Sequence, residues 1–264
     1  MKKEKIKLFG LNIDNIEMPI ALGKARSALN GSKEQLAVFT PNLQMLEASR
    51  KDKNIRKMLN SADLLLPDGV GVGLVSKMLG RKIKCALPGI EFGEKILKIA
   101  EQKGFRVFLL GGKEGIASLA AARLKKKLKD LKICGTHHGY ITSDKQRDGL
   151  IEKINKSKAD ILFVCMGFPR QERFVLENRE KLKHVRLIAC LGGSLDVWSG
   201  KVRRAPKPFR KMHAEWLWRL SCEPCRIPRF LSSLPTIAVS SLCGLKNIIS
   251  KKDKYRSYFK ERII

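Results

Sequence analysis

The sequence predicts an α/β protein with a doubly wound, mostly parallel sheet and a helical C-terminal appendage. Six short apolar runs each adjoin a segment of helical periodicity, the alternation typical of parallel α/β proteins. The runs are continuously apolar, as expected for strands covered by helices on both faces, which favours a Rossmann-like architecture. In chain order, the runs are QLAVFT, ADLLLP, FRVFLLGG, LKICGTHHG, ADILFVCMG and VRLIACLGG.

The two ends of the chain differ from this pattern. KIKLFGLNIDNI alternates loosely and precedes the helical pattern MPIALGKARSAL, so it predicts an edge strand or a hairpin followed by a helix. No further strand pattern follows Ala205, where APKPFRKM opens a stretch rich in Trp, Arg and Pro. We therefore expect an α/β catalytic domain over residues 1–204 and a basic helical appendage over residues 205–264.

The charge of the chain predicts an anionic partner. Among 264 residues, 54 Lys and Arg face 25 Asp and Glu, for a net charge of +29. From Lys201 onward, 16 basic residues face 4 acidic ones, so the bias is strongest at the C-terminus. Nucleic acid, an anionic membrane surface and a diphosphate substrate would each suit this charge. No binding motif or interleaved aromatic and basic surface favours nucleic acid, which remains the non-enzyme alternative.

The cysteines and the apolar segments predict a cytoplasmic protein. Seven cysteines without regular spacing favour a reducing compartment. The N-terminus is basic but lacks the apolar run of a signal peptide. The longest uncharged stretch, Phe230 to Leu245, has 16 residues and contains Pro235, so it is too short to span a bilayer.

The residues that follow each apolar run are the first candidates for a binding site, because ligands of open parallel sheets bind at the carboxyl ends of the strands. The candidates are Thr40, Asn42, Asp68, Gly111, Gly112, Gln171, Gly192, Gly193 and Asp196.

The glycine-rich turns at two of these strand ends suit a nucleotide. Gly111 and Gly112 begin GGKEG, which joins a strand to a helix whose first amides could hold a diphosphate. The turn lacks the Walker and dinucleotide spacings, and the second absence disfavours an oxidoreductase. A tight turn without ligand is the alternative. LGGSLD, with Gly192, Gly193 and Asp196, repeats the pattern.

The polar candidates have structural alternatives. Asp68 could act as a base on a hydroxyl or cap the following helix. Thr40 and Asn42 could line the site or serve as cap and turn residues. Gln171 could contact substrate or simply belong to the first turn of a helix.

No metal or other cofactor is predicted. The sequence has no Asp-x-Asp, and the adjacent His137 and His138 lack a matching cluster of ligands, which favours a role at a strand end or in a loop. Arg219, Arg226 and Arg229 lie at spacings of seven and three, on one face if helical. They could bind phosphate, and a solvated or lipid-contacting face is the alternative.

A series of motifs along nearly the whole chain resembles the WecG/TagA/CpsF glycosyltransferases. In order, they are TPN, LLPDGVGV, PGIEF, FLLGGKEG, GYI, MGFPRQE, LGGSLDVWSGKVRRAP and EWLWRL. The resemblance implies metal-independent, inverting transfer of N-acetylmannosamine from its UDP conjugate to N-acetylglucosamine on undecaprenyl diphosphate, as in wall teichoic acid synthesis. The alternative donors are UDP-N-acetylmannosaminuronic acid, for enterobacterial common antigen, or another UDP-sugar for capsule or exopolysaccharide.

The same resemblance assigns roles to residues. It places the base at Asp68 and substrate contacts at Thr40, Asn42 and Gln171. It also implies a homo-oligomer that dissociates at the inner face of the cell membrane, where the appendage brings its arginines, here Arg219, Arg226 and Arg229, over the active site. FLSSLPTIAVSSLCGL departs from the family as an unusually small and polar tail, and the final KNIISKKDKYRSYFKERII lies outside the matching pattern.

Overall fold

The computed structural model describes residues 5–31, 34–206, 208–209, 215–222 and 227–244. Two strands form an N-terminal hairpin, β1 (Lys5–Leu8) and β2 (Leu11–Asp14). Six strands form the main sheet: β3 (Leu36–Phe39), β4 (Leu64–Leu65), β5 (Arg106–Gly111), β6 (Lys132–His137), β7 (Ile161–Cys165) and β8 (Leu187–Cys190).

Helices cover both faces of the main sheet. One layer contains α1 (Met18–Leu29), α5 (Gly89–Lys103), α6 (Ile116–Lys127) and α9 (Ser194–Trp198). The other contains the hairpin with α2 (Leu43–Lys51), α3 (Lys53–Asn60), α4 (Val70–Met78), α7 (Asp144–Lys156) and α8 (Arg170–Asn178). Beyond them lie α10 (Glu215–Cys222), α11 (Ile227–Leu231) and a further helical segment, α12, at residues 234–244.

The six predicted strands pair in the order β4-β3-β8-β7-β5-β6, and every pair is parallel. The chain moves outward from β5 to β6 through α6, and in the opposite direction from β7 to β8 through α8. A crevice therefore opens between the carboxyl ends of β5 and β7, the topological switch point of the sheet. The predicted doubly wound α/β fold is confirmed.

After Arg106, which begins β5, the central strands β5, β7 and β8 have no polar side chain that could form an ion pair, because both faces are buried. In β5, Val107 and Leu109 pack into one apolar layer, whereas Phe108 and Leu110 pack into the other. All four side chains are fully buried. Successive side chains of a strand point to opposite faces, so a strand between two helical layers requires an uninterrupted apolar run.

The N-terminal segment forms a hairpin rather than an edge strand of the main sheet. β1 and β2 pair antiparallel in a separate two-stranded sheet, with a turn at Phe9 and Gly10, whose φ angles are positive. The carboxylate of Asp14 is buried and accepts the backbone N–H of Leu65 at 2.9 Å. This bond fixes the hairpin to β4.

The C-terminal segment returns to the α/β layers. Arg204 donates to the carboxylates of Glu91 and Glu94 on α5. Further on, Thr236 in α12 donates from Oγ1 to the carboxylate of Glu47 on α2. A Cβ added at Gly244 would lie 2.1 Å from the carbonyl oxygen of Met78 on α4, so the backbones of α12 and α4 approach closely.

The small polar tail therefore has a packing role. Ser233, Thr236 and Ser240 are at most 3% exposed. Small side chains let α12 lie close to the underlying helices, whereas larger ones would hold the backbones apart. Within the described part of the chain, no helix is both long enough and apolar enough to cross a bilayer.

We expect Gly111→Ala to lower the free energy of unfolding by roughly 2–4 kcal/mol, through backbone strain and a steric clash. Gly111 has φ +139°, and an added Cβ would lie 2.2 Å from the carbonyl oxygen of Cys165. The matched control is Gly149→Ala in α7, where an added Cβ meets no atom within 4 Å. The control should gain about 0.5–1 kcal/mol through helix propensity. Chemical denaturation measures both, and a Gly111→Ala protein as stable as wild type would contradict the close approach.

Candidate active site at the carboxyl edge of the sheet

Hydrogen bonds join the loops that leave β4, β3 and β8. The backbone N–H of Asp68 donates to the carbonyl oxygen of Pro41 at 2.9 Å, which connects the β4 loop to the β3 loop. Thr40 donates from Oγ1 to the carbonyl oxygen of Cys190 at 3.0 Å, which connects β3 to β8. These contacts bring the candidates on the three strands to one edge of the sheet.

The same edge continues across β7, β5 and β6. The backbone N–H of Gly192 donates to Oε1 of Gln171 at 3.1 Å, joining β8 to the loop after β7. The N–H of Gly112 donates to the carbonyl oxygen of Cys165 at 3.2 Å, joining β5 to β7. Gly139, after β6, donates in turn to the carbonyl oxygen of Gly112. The six strand ends are thus linked in one continuous row.

Asp68 lies just before α4 but does not cap it. The cap residue of α4 is Gly69, which adopts φ +78° and has no side chain to donate or accept a bond. Asp68 is one residue earlier and half-buried. Its function as a base remains a prediction.

Asn42 and Thr40 have different surroundings in the loop after β3. Oδ1 of Asn42 accepts the backbone N–H of Met45 at 3.2 Å, so the capping interpretation is confirmed for this exposed residue. Thr40 is buried, and a Cβ added at Gly89 would lie 2.9 Å from its Oγ1. The glycine of the PGIEF motif therefore lets the start of α5 approach the Thr40 side chain.

The GGKEG turn lies at the switch point. Gly111 and Gly112 have positive φ angles, and Gly115 is the cap residue of α6. The N–H of Gly112 bonds to β7, as a tight turn requires, so it is not directed at a ligand. A diphosphate at this crevice would instead meet the first turn of α6, where backbone amides point out of the helix end.

Gln171 and Glu172 both lie in the first turn of α8, and both are buried. Gln171 is 3% exposed and Glu172 is fully buried. Nε2 of Gln171 donates to Oε1 of Glu172 at 2.7 Å, while Oε1 of Gln171 accepts from Gly192. Burial raises the pKa of Glu172 to about 7, and its hydrogen bond from Gln171 opposes that rise only in part.

Gly193 and Asp196 lie at the start of α9. Gly193 is its cap residue and Asp196 is in its first turn, half-buried. The backbone carbonyl of Asp196 accepts from Oγ of Ser199 and from the N–H of Val202, which closes the end of this short helix. Binding of substrate by Gly193 and Asp196 remains a prediction.

Two side chains at the crevice were not selected from the sequence. The guanidinium carbon of Arg170, at the start of α8, lies 5.5 Å from the ring centroid of Tyr140, which follows β6. Tyr140 is 48% exposed. An aromatic ring with a cation over its face beside a glycine turn suits a base or a phosphate. The strand-end position of GYI was the available signal, whereas the pairing with Arg170 depends on the order of strands.

The histidines take part in local contacts. His137 ends β6, and its Nδ1 lies 2.8 Å from the carbonyl oxygen of His138, whose Nδ1 accepts the N–H of Tyr140. Burial lowers the pKa of His137. Across the described residues, no group of three or more His, Cys, Asp or Glu side chains is placed to hold a metal ion.

The predicted tail arginines fall mostly outside the described residues. Arg226 lies outside the described residues. The backbones of Arg219 and Arg229 belong to α10 and α11, but their side chains are outside the described part of the structure. Their placement over the active site remains a prediction.

Comparison with known proteins decides the family. Residues 6–251 match the profile of the glycosyl transferase WecG/TagA/CpsF family. The chain belongs to this family. The α/β core and the C-terminal helices of the described chain are therefore those of a WecG/TagA/CpsF glycosyltransferase.

Three relatives of this WecG/TagA/CpsF protein carry the name N-acetylglucosaminyldiphosphoundecaprenol N-acetyl-beta-D-mannosaminyltransferase. The protein of Bacillus spizizenii is 34% identical over 195 residues, 74% of either chain. That of Bacillus subtilis is 31% identical over 210 residues, 80% of either chain. That of Staphylococcus aureus strain MRSA252 is 31% identical over 232 residues, 88% of this chain and 89% of its own.

We expect Glu172 to make the wild-type protein lose stability as the pH rises from about 4.5 to about 7. Its folded pKa lies above the unfolded value, so the folded state holds more protons between these values. Stability is therefore greatest below the unfolded pKa and falls as pH rises through the folded pKa, by about 3 kcal/mol at most. The buried thiol of Cys190 faces this carboxyl, and its pKa is raised well above neutral, so it stays protonated across the window.

Thermal unfolding of the Glu172→Gln variant between pH 5 and 8 tests this expectation, because the amide has no charge to bury. The variant should lose less stability with pH than wild type. Glu47→Gln is the control: Arg50 holds the pKa of Glu47 at about 2, so this carboxyl stays ionised throughout the same window. Wild type and Glu172→Gln with parallel pH profiles would contradict the assignment.

Proposed function

We propose that the protein transfers N-acetylmannosamine from UDP-N-acetylmannosamine to N-acetylglucosamine on undecaprenyl diphosphate, with inversion at the anomeric carbon. The reaction would build the linkage unit of a wall teichoic acid-type polymer. The supporting observation is the hydrogen-bonded carboxyl edge that connects Asp68 to the Gly112 turn, in a chain 31–34% identical to enzymes named for this activity.

The half of the edge formed by β8, β7 and β5 suits the donor. An added Cβ at Gly192 would meet no atom within 4 Å, which leaves room for a diphosphate, and the Gly112 turn leads to the N-terminus of α6. Tyr140 with Arg170 offers a stacking surface for a uracil ring. β4 and β5 are four strand spacings apart, roughly 19 Å, which accommodates an extended nucleotide sugar with the acceptor beyond it.

Asp68 is the proposed base. Its carboxylate takes the proton of the acceptor 4-hydroxyl while that oxygen forms a bond to the anomeric carbon. The bond from the anomeric carbon to the diphosphate breaks on the opposite face, and UDP leaves with the electron pair. Helix N-termini and the tail arginines Arg219, Arg226 and Arg229 stabilise the charge on the diphosphate. Thr40, Asn42 and Gln171 complete the site.

We propose that the protein acts at the inner face of the cell membrane, as a cytoplasmic, peripheral enzyme, because its proposed acceptor is linked to a membrane lipid. Supporting this, exposed apolar side chains occur on α4, which begins two residues after Asp68, and on the C-terminal helices. They are Val70, Leu74, Trp216, Leu217, Ile227, Leu231, Leu234 and Leu242. Ser241 of α12 contacts Met78 of α4, so the two elements are neighbours. Basic residues add attraction to anionic lipid.

Acceptor-dependent release of UDP by the purified protein tests the reaction directly. A short-chain polyprenyl-diphosphate-N-acetylglucosamine acceptor is supplied in EDTA with either UDP-N-acetylmannosamine or its uronic acid. We expect release with the first donor only. Release with the second would reassign the donor, and none with either would overturn the proposed reaction.

Asp68→Asn should lower kcat by roughly 10²–10⁴-fold, because the amide cannot accept the proton of the acceptor hydroxyl. The matched control is Asp63→Asn at the opposite end of β4, where the carboxylate accepts the N–H of Ala37 and pairs with Arg179. The control should lose stability but keep its turnover per folded molecule. Near wild-type turnover of folded Asp68→Asn would remove Asp68 from the chemistry.

Replacing Arg219, Arg226 and Arg229 by glutamine should abolish transfer to the lipid acceptor and weaken binding to phosphatidylglycerol vesicles. Wild-type binding should itself fall with added salt, since ions screen surface charges. Lys125, Lys126 and Lys127, exposed at the end of α6, provide a control with the same loss of charge. Equal effects of the two triple variants would show that the arginines contribute only through their positive charge.

The family resemblance also implies a homo-oligomer that dissociates at the membrane. Light scattering with and without vesicles would measure this dissociation.

A further inference from the structure

Glu172 is a buried carboxyl without a basic partner among the described residues. Its Oε1 accepts from Gln171, and its Oε2 has no hydrogen-bond partner in the described part of the structure. Glu47, also buried, shows the usual arrangement, with ion pairs to Arg50 and Lys51. Burying a carboxyl without a counter-charge is costly, and an apolar residue would fill the same space without that cost. Packing alone therefore does not explain a glutamate at position 172.

The Gln171 amide is held at both ends. Its nitrogen donates to Glu172 at 2.7 Å, and its oxygen accepts the backbone N–H of Gly192 at 3.1 Å. Oε1 of Glu172 is an acceptor when the carboxyl is ionised, and also when the proton is on Oε2. The contact therefore requires the amide nitrogen of Gln171, and not its oxygen, to face Glu172. The amide oxygen is thereby left facing Gly192.

This hydrogen bond connects the turn at Gly192 to α8. Gly192 has φ +56° and lies between the end of β8 and the cap residue of α9. Within the turn, the N–H and Oγ of Ser194 both donate to the carbonyl oxygen of Leu191. The N–H of Gly192 itself donates to the buried Gln171 amide, which ties the turn to the neighbouring helix.

We propose that Glu172 is a positioning residue of the transferase: through Gln171 it holds the Gly192 loop in the conformation that binds the diphosphate of the donor. The inference rests on the proposed function and deepens it, because it gives Gln171 and Glu172 a role in binding the donor. The raised pKa of Glu172 is consistent with this role, since an uncharged carboxyl can remain buried and still accept from Gln171.

A double-mutant cycle separates this role from simple packing. Glu172→Met removes the bond between Gln171 and Glu172, and Gln171→Met also removes the bond to Gly192, each with little change of volume. Each should lower kcat/KM for the UDP-sugar roughly tenfold, the effect of about one lost hydrogen bond. The double variant should be no worse than either single one, because both interrupt the same chain of contacts. Glu172→Gln keeps an oxygen acceptor and should restore activity to within about twofold of wild type.

Asn178→Leu is the control, since Asn178 is a buried polar residue of the same helix and bonds only to Phe174 among the described residues. It should lower the unfolding temperature without lowering kcat/KM. If Glu172→Met does not fold, Glu172→Asp keeps the carboxyl but withdraws it from Gln171, and it should show the same loss.

Calorimetric binding of UDP to the same variants provides a readout that needs no acceptor. Single variants should bind UDP more weakly, and the double variant should match them. Independent, multiplying losses in kcat/KM and Kd, or wild-type values for folded Glu172→Met, would overturn the positioning role. Absence of transfer by the wild-type protein would overturn the proposed reaction instead, and the UDP binding cycle would still decide the role of Glu172.

Discussion

All six strands of the main sheet run parallel, and the remaining structure depends on this pairing. Parallel strands need crossovers, which place helices on both faces and bury every position of β7 and β8 and all of β5 after Arg106. The polar residues of each strand unit are then confined to its two ends. All carboxyl ends meet at one edge, where their loops bond to each other in the row from Asp68 to Gly139.

Two buried carboxyls of this basic protein, Glu47 and Glu172, have different partners. At the periphery, Glu47 is ionised and shared by Arg50, Lys51 and the hydroxyl of Thr236. Under the crevice, Glu172 has no counter-charge among the described residues and is instead bonded to an amide. The first arrangement attaches the C-terminal segment to α2, and the second connects α8 to the turn after β8 through the Gln171 amide.

The C-terminal segment packs beside the helix that follows Asp68. Its small residues, such as Ser240 and Gly244, allow α12 to lie against α2 and α4, while Leu234 and Leu242 stay exposed. α4 starts just after Asp68 and exposes Leu74. Exposed apolar side chains therefore occur on two neighbouring helices, one of which begins just after the proposed base.

The sequence by itself determined the strands, the fold class and the candidate edge, because apolar runs between helical patterns reflect burial on both faces and polar residues follow each run. It also contained the motifs of the family. Local patterns left open whether Asp68 is a base or a helix cap, and whether KIKLFGLNID forms a hairpin or an edge strand. Only the tertiary structure decided that Tyr140 meets Arg170, that Gln171 bonds to Gly192 and that Thr236 reaches Glu47. Those contacts join residues that are far apart in the chain, and their pairing depends on the order of strands in the sheet and on how the C-terminal helices pack, which no local pattern specifies.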